Sequence, residues 1–227
     1  MNPVKLILSH RTGFPNWRFQ TPSKKLIFNF EPGTKVGYSG EGYEYLRRAL
    51  EHKFGRTLQQ IADSVLFEPA GMYSTRFSWG PGLDSSIYAV PHANDGTAIS
   101  RPLHRTIVAA DWLVTTIKDY STFGAHVLNH AGLSQQLFSD MATQQGKLND
   151  STQQGMGLGW AVINGLPDDE YLLMHTGHDE GVSSFVMLLP NSRRGFVIFT
   201  NGDKGANVIV AMIRSMLKMK ELEPYLK

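Results

Sequence analysis

Cysteine is absent from the 227-residue chain, which excludes disulfides, thiolate metal sites and a cysteine nucleophile. That absence leaves the compartment open. A surplus of charge is missing too. The formal net charge is only +2, and the pairs Lys24–Lys25, Arg47–Arg48 and Arg193–Arg194 are scattered as solvated faces rather than gathered into a nucleic-acid footprint. No apolar run approaches the roughly 18–20 residues of a membrane span. The opening MNPVKLILSHRTG lacks the layout of a signal peptide, because His10 and Arg11 follow its short apolar run at once. No export signal is therefore expected in this chain. No internal repeat or low-complexity segment is evident.

What remains is ordinary globular composition, 41% apolar and 19% charged, in a chain long enough to bury a real core. The two halves differ in character. Residues 43–54 place Tyr43, Leu46, Leu50 and Phe54 on one helical stripe, with Glu44 four before Arg48 on the exposed side, and Gly55 ends the helix. Thr57 and Gln60 have capping-box spacing ahead of Leu58, Ile61, Ala62 and Val65 on one face. Residues 73–104 are rich in Gly, Pro, Ser and Asn and read as a long irregular excursion. Residues 109–130 and 134–145 read as helices. After Gly155, GLGWAVI, EYLLMHT, GVSSFVMLL and RGFVIFTN are β-prone runs separated by turn signals, the pattern of an antiparallel meander. A final helix over 205–220 carries Val208, Met212, Ser215, Met216 and Met219 on one side. The expected class is α+β: a mainly helical region over 1–150, then a sheet over 151–227 with the last helix packed on it.

One stretch, GYSGEGYEYL at 37–46, falls a residue short of the G-x-S-x-G nucleophile elbow, with Glu41 in place of the closing glycine. The preceding NFEPGTKV is no buried strand, and a meander contradicts the parallel sheet an elbow requires. Were Ser39 nevertheless the nucleophile, a fluorophosphonate would label it.

Six segments in fixed order carry a different match: LILSHRTGFPNW, FEPGTKVGYSGEGYEYL, LFEPAGMYSTRFSW, AADWLVTTIKDYSTF, GMGLGWAV and MHTGHDEGVSSFVMLLPNSRRGFVIFTNGD. Together, from about residue 6 to 205, they resemble the serine β-lactamase/penicillin-binding-protein superfamily, in its class C-like branch of esterases and D-aminopeptidases. The resemblance implies a β-lactamase/transpeptidase-like fold, an ester, small amide or β-lactam substrate, acyl transfer through a serine, and neither metal nor organic cofactor. Its Y-x-N motif falls on Tyr38–Ser39–Gly40, so that Tyr38 relays a proton to the leaving group. Ser39 and Gly40 border the substrate, and Gly40 stands where an asparagine is usual. Its K/H-T/S-G motif falls on His175–Thr176–Gly177. His175 then lies beside the substrate, where a histidine in place of lysine attracts a carboxylate only weakly and favours esters or amides over β-lactams. Thr176 hydrogen-bonds substrate, Gly177 admits its close approach, and the backbone N–H of His178 is an oxyanion donor.

The S-x-x-K motif that should supply the nucleophile and its lysine is not found upstream of these segments. The only such match is Ser215–Met–Leu–Lys218, out of order and on the apolar side of the last helix, and it reads as structural. The family's two N-terminal strands, which cover the strand at 195–200, are not in this chain either. That strand is then expected as an open apolar edge able to pair with another chain. The expectation is a serine hydrolase lacking its nucleophile part and inactive alone; the competing class is a non-catalytic binding protein on the same fold. His10 and Gly13 read as structural and Trp160 as core. His126 and His130 read as surface residues without a third metal ligand. Trp79, Tyr88 and His92 lie in the excursion that overhangs the site in the family.

Overall fold

Alternating side chains along three long strands set the architecture. The computed structural model describes residues 2–80, 83–100, 103–148, 153–217 and Leu222. Helices α1 (Pro3–Leu8), α2 (Gly40–Phe54), α3 (Leu58–Ala62), α4 (Glu68–Ala70), α5 (Ile117–Leu128) and α6 (Gln135–Ala142) precede an antiparallel sheet. Its strands are β1 (Gly146–Lys147), β2 (Gln154–Met156), β3 (Ala161–Ile163), β4 (Leu172–Asp179), β5 (Val182–Leu189) and β6 (Arg194–Thr200), and α7 (Gly205–Leu217) follows. The strands neighbour one another in sequence order from β1 to β6. This is the expected meander. No helix among the described residues is long and apolar enough to cross a membrane.

Successive strand residues point to opposite faces, so neighbours in β4 and β5 enter different cores. Leu172, Phe185, Met187, Leu189 and Ile198 pack with Ile209 and Ile213 of α7. Leu173, Val186 and Leu188 pack with Val127, Phe138, Val162 and Trp160 on the side of α5 and α6. Trp160 is thus core, stacked on Phe123. With helices on both faces, β5 is buried from Phe185 to Leu189 and needs an unbroken apolar run there.

Four local expectations change. The last helix turns a different face to the sheet: Ile209 and Ile213 are buried, whereas Val208, Met212 and Met216 are exposed and so is Ser215. Met219 and Lys218 lie outside the described residues. An α-helix presents i, i+4 rows on several sides, and both of these rows are apolar, so periodicity alone did not choose between them. The capping box at Thr57 and Gln60 is present, but a π-helical turn follows over Asp63–Phe67. Its wider turn leaves Val65 exposed and buries Phe67. Residues 109–116 are not helical: Val114 bridges to Arg76, and Thr116 caps α5 by accepting the Asp119 N–H at 3.1 Å. Finally, Glu44 is buried rather than paired outward with Arg48. It holds Arg47 at 2.9 Å and accepts the Ala109 N–H at 2.6 Å, which fastens the segment before α5 to α2.

Candidate active site

Tyr38 stands just before α2, and the chain is held there from both sides. Ser39 is the N-cap of α2 in extended backbone, and its hydroxyl accepts the Gly42 N–H at 3.0 Å. The same hydroxyl donates to the Pro15 carbonyl at 2.8 Å, and the residue is only 1% exposed. An N-cap serine so engaged satisfies a helix-end donor, and its hydroxyl hydrogen points at a carbonyl rather than at the base a nucleophile needs. The side chain expected beside substrate is thus engaged in capping α2.

Gly40 begins α2, and its N–H donates to Asn16 Oδ1 at 3.0 Å. A Cβ built here would lie 2.6 Å from the Trp17 ring. The indole thus fills the space that a side chain at position 40 would need. Gly40→Asn is expected to cost about 1–3 kcal/mol, the usual penalty of overpacking, and to cost less when Trp17 is replaced by alanine. Urea denaturation of the two single variants and the double variant measures this coupling. A neutral Gly40→Asn in the parent chain would refute it.

The strand motif lies on β4. Met174 is the last β4 residue paired to β3, opposite Ala161. From His175 to Asp179 the strand pairs only with β5 among the described residues, leaving its other edge open. There, His10, Tyr38, His175 and Thr176 share the wall of a pocket of about 200 Å³, together with Val36, Leu148, Gln154, Met156, Ala161 and Met174. Gly177 and His178 line a second cavity of about 230 Å³, apolar and set between the sheet and α7, which also includes Met174 and Thr176. A Cβ on Gly177 would meet Ser184 Oγ across the strand pair, so a larger residue there needs the serine side chain to turn away. The His178 ring rests with Nδ1 3.3 Å from Ser183 Oγ.

Electrostatics in the first pocket run against an anionic tyrosine. Partial burial, and then the charge of Asp111, push the Tyr38 phenol above its ordinary value, although the residue is 53% exposed. Burial lowers the His175 imidazole, against a smaller opposing effect of a hydrogen bond with the Thr176 backbone. His10 is lowered to about 4 by burial and then by His175. Both rings are accordingly neutral at pH 7.

His10, expected from the sequence to be structural, lines this pocket. Nothing in the local pattern marks it, because what makes it unusual is a left-handed backbone at φ 52° and burial beneath two tyrosines. Of the other residues, Trp79 meets Tyr88 edge-on, and His92 Nδ1 lies 3.2 Å from the Asn201 carbonyl oxygen. The His130 ring stacks on Phe138. No group of three metal-ligating side chains occurs among the described residues.

A meander sheet with helices on both faces, a tyrosine leading into a helix, and histidine–threonine–glycine on the open end of a strand define the β-lactamase/transpeptidase class of fold. The chain belongs to the Beta-lactamase family, whose model matches residues 3–217. It is 21% identical over 257 residues to penicillin-binding protein 4* of Bacillus subtilis (strain 168), in an alignment that takes in 98% of this chain and 56% of that protein. The chain thus spans little more than half the length of that relative. Among solved structures, a D-stereospecific amidohydrolase from Streptomyces sp. superposes with a TM-score of 0.78 at 16% identity, over 95% of this chain and 72% of the other. The octameric penicillin-binding protein homologue from Pyrococcus abyssi gives 0.77 at 16% identity, over 96% of this chain and 56% of the other. D-amino acid amidase from Ochrobactrum anthropi SV3 gives 0.75 at 18% identity, over 95% of this chain and 77% of the other.

Proposed function

We propose that the chain carries the tyrosine and strand-motif half of a serine acyl-transfer site acting on esters, small amides or β-lactams. The observation that carries this is the meeting of Tyr38, from the start of α2, with His175 and Thr176, from the open end of β4, in one pocket wall. In this reading Tyr38 passes a proton to the leaving group, Thr176 hydrogen-bonds the substrate, and the His178 N–H supports the oxyanion. The amidase relatives, and a histidine rather than a lysine at position 175, weigh toward amides and esters over β-lactams. The attacking serine needs a neighbouring base, and the only S-x-x-K of these 227 residues begins at Ser215, on the exposed surface of α7. The chain by itself is therefore proposed to be inactive. Association through the outer edge of β6, which has no strand neighbour among the described residues, belongs to the same proposal, and the octameric state of one fold relative supports it.

Intact-mass measurement after exposure to a penicillin and to a nitrophenyl acyl ester tests this. The chain alone should gain no mass, whereas a polypeptide extended upstream with an S-x-x-K segment should gain one acyl group. Ester turnover by the chain alone, lost on Tyr38→Phe, would overturn the assignment. A second reading, a non-catalytic binding protein, is favoured by one observation: Trp17 occupies the space beside Gly40 where the family's asparagine would stand. It predicts binding without a mass change in both polypeptides.

A further inference from the structure

His10 Nε2 is a buried side-chain polar atom with no hydrogen-bond partner among the described residues, in a side chain that is only 3% exposed. The other ring nitrogen settles where the proton is. Nδ1 accepts the Ser39 N–H at 3.2 Å, so a neutral imidazole carries its hydrogen on Nε2. A buried donor left unpaired is costly, and such atoms call for an explanation. The backbone is also held away from its preference. At φ 52° a histidine occupies the left-handed region, a conformation that persists only where its surroundings enforce it.

Besides the Tyr43 ring, those surroundings centre on Tyr38. The His10 carbonyl accepts the Gly37 N–H at 2.8 Å and Nδ1 takes the Ser39 N–H, so His10 grips the amides on either side of the tyrosine. Its ring lies against the Tyr38 ring with centroids 4.4 Å apart, and both rings belong to the pocket wall with His175 and Thr176.

We propose that His10 both positions Tyr38 and binds ligand, its Nε2–H donating to the carbonyl oxygen of an uncharged amide or ester held in this pocket. The inference rests on the reading of the pocket as an acyl-transfer site. An uncharged ligand is specified because no lysine or arginine lies among the described residues of the wall, and the charge that reaches Tyr38 is the negative one of Asp111. A carboxylate brought here would lose its hydration without a counter-charge, whereas a neutral carbonyl needs only one donor. Hydrolysis turns the neutral amide or ester into a carboxylate, so the same arrangement favours substrate over acid product.

The test uses the full chain labelled with 15N-histidine and 13C-tyrosine, with phenylacetamide and phenylacetate as probes at pH 7. Phenylacetamide should shift the His10 Nε2 resonance saturably, and phenylacetate should bind at least about ten-fold more weakly. His10→Asn can keep an acceptor for the Ser39 N–H but has no Nε2–H; it should bind the amide about ten-fold more weakly while the Tyr38 ring signal stays in place. His10→Gln can keep a donor at the Nε2 position but not the Nδ1 acceptor; it should retain binding and move the Tyr38 signal. An Nε2 resonance insensitive to saturating amide, equal affinity for the two probes, or a bound water on Nε2 that the amide does not displace would each overturn the proposal. The comparison of probes on the parent chain decides the matter even if a variant fails to fold. Binding needs no nucleophile, so absence of acylation in the mass experiment leaves this inference standing, and loss of amide binding ends it whatever that experiment gives.

Discussion

Tyr38→Phe is expected to slow acyl-enzyme formation by about 10²–10⁴-fold in a polypeptide that joins an upstream S-x-x-K segment to this chain, the range set by removal of a positioned proton donor. The substitution deletes one oxygen from a half-exposed ring and keeps the contact with His10. Stability should therefore change by no more than about 0.5 kcal/mol, so a fall in rate reports chemistry and not unfolding. The direction of the phenol's shift gives a second signature. Burial and Asp111 both raise it, so the tyrosine stays protonated through neutral pH and acts as a donor. Deprotonation would remove that donor only at alkaline pH, above the ordinary tyrosine value of about 10. If a lysine delivered with the upstream segment reversed this shift, the alkaline limb would move to lower pH. A rate reduced less than about ten-fold by Tyr38→Phe, measured from the burst of nitrophenol release, would remove the phenol from the proton path.

The parts of the molecule legible in the sequence were those fixed by local rules. Turn residues between β-prone runs gave the meander, Thr57 and Gln60 gave a capping box, and the order of short motifs gave the family later matched over residues 3–217. Tyr38, His175 and Thr176, which the motifs name, share one pocket wall. What stayed hidden depends on partners distant in sequence. Glu44 looked like half of a surface pair until the Ala109 N–H arrived at its carboxylate. Gly40 read as a lost asparagine, and only the fold shows Trp17 in the vacated space. Ser39 sits in a nucleophile-like string, yet its hydroxyl is spent on Pro15 and Gly42. His10 depends on a left-handed φ that no residue pattern announces. The facing of α7 was undecidable locally, since the helix is apolar on more than one side.

Glu170 supplies the other large effect, and it concerns the frame that holds β4 in place. The residue is 5% exposed and its carboxylate accepts three backbone N–H groups: Tyr171 at 3.0 Å, Asn191 at 3.1 Å and Ser192 at 2.8 Å. It thereby ties the turn entering β4 to the turn between β5 and β6, which lie side by side where β4 begins and β5 ends. Glu170→Ala removes three charge-assisted hydrogen bonds and is expected to cost about 3–4 kcal/mol, at about 1.5–3 kcal/mol for each such bond less what water returns to the exposed Asn191 and Ser192 amides. For a chain of this size that corresponds to a fall in Tm of roughly 6–16 °C. The pH dependence identifies the charge as the cause. Burial by itself would raise the carboxyl, but the hydrogen bonds from Ser192, Tyr171 and Asn191 outweigh it and the net shift is downward. A group depressed in the folded state stabilises fully above its unfolded value, about 4.3 for glutamate, and loses that contribution as pH falls through the folded value. Urea denaturation from pH 7 to pH 3 should therefore show the parent chain losing stability in the acid range, with a shallower slope for Glu170→Ala. Glu170→Gln, which keeps an acceptor without charge, should fall between them at pH 7 and share the shallower slope. Equal acid slopes for parent and alanine variant would mean that the three amides are held by geometry alone and that the carboxylate charge contributes nothing to the join.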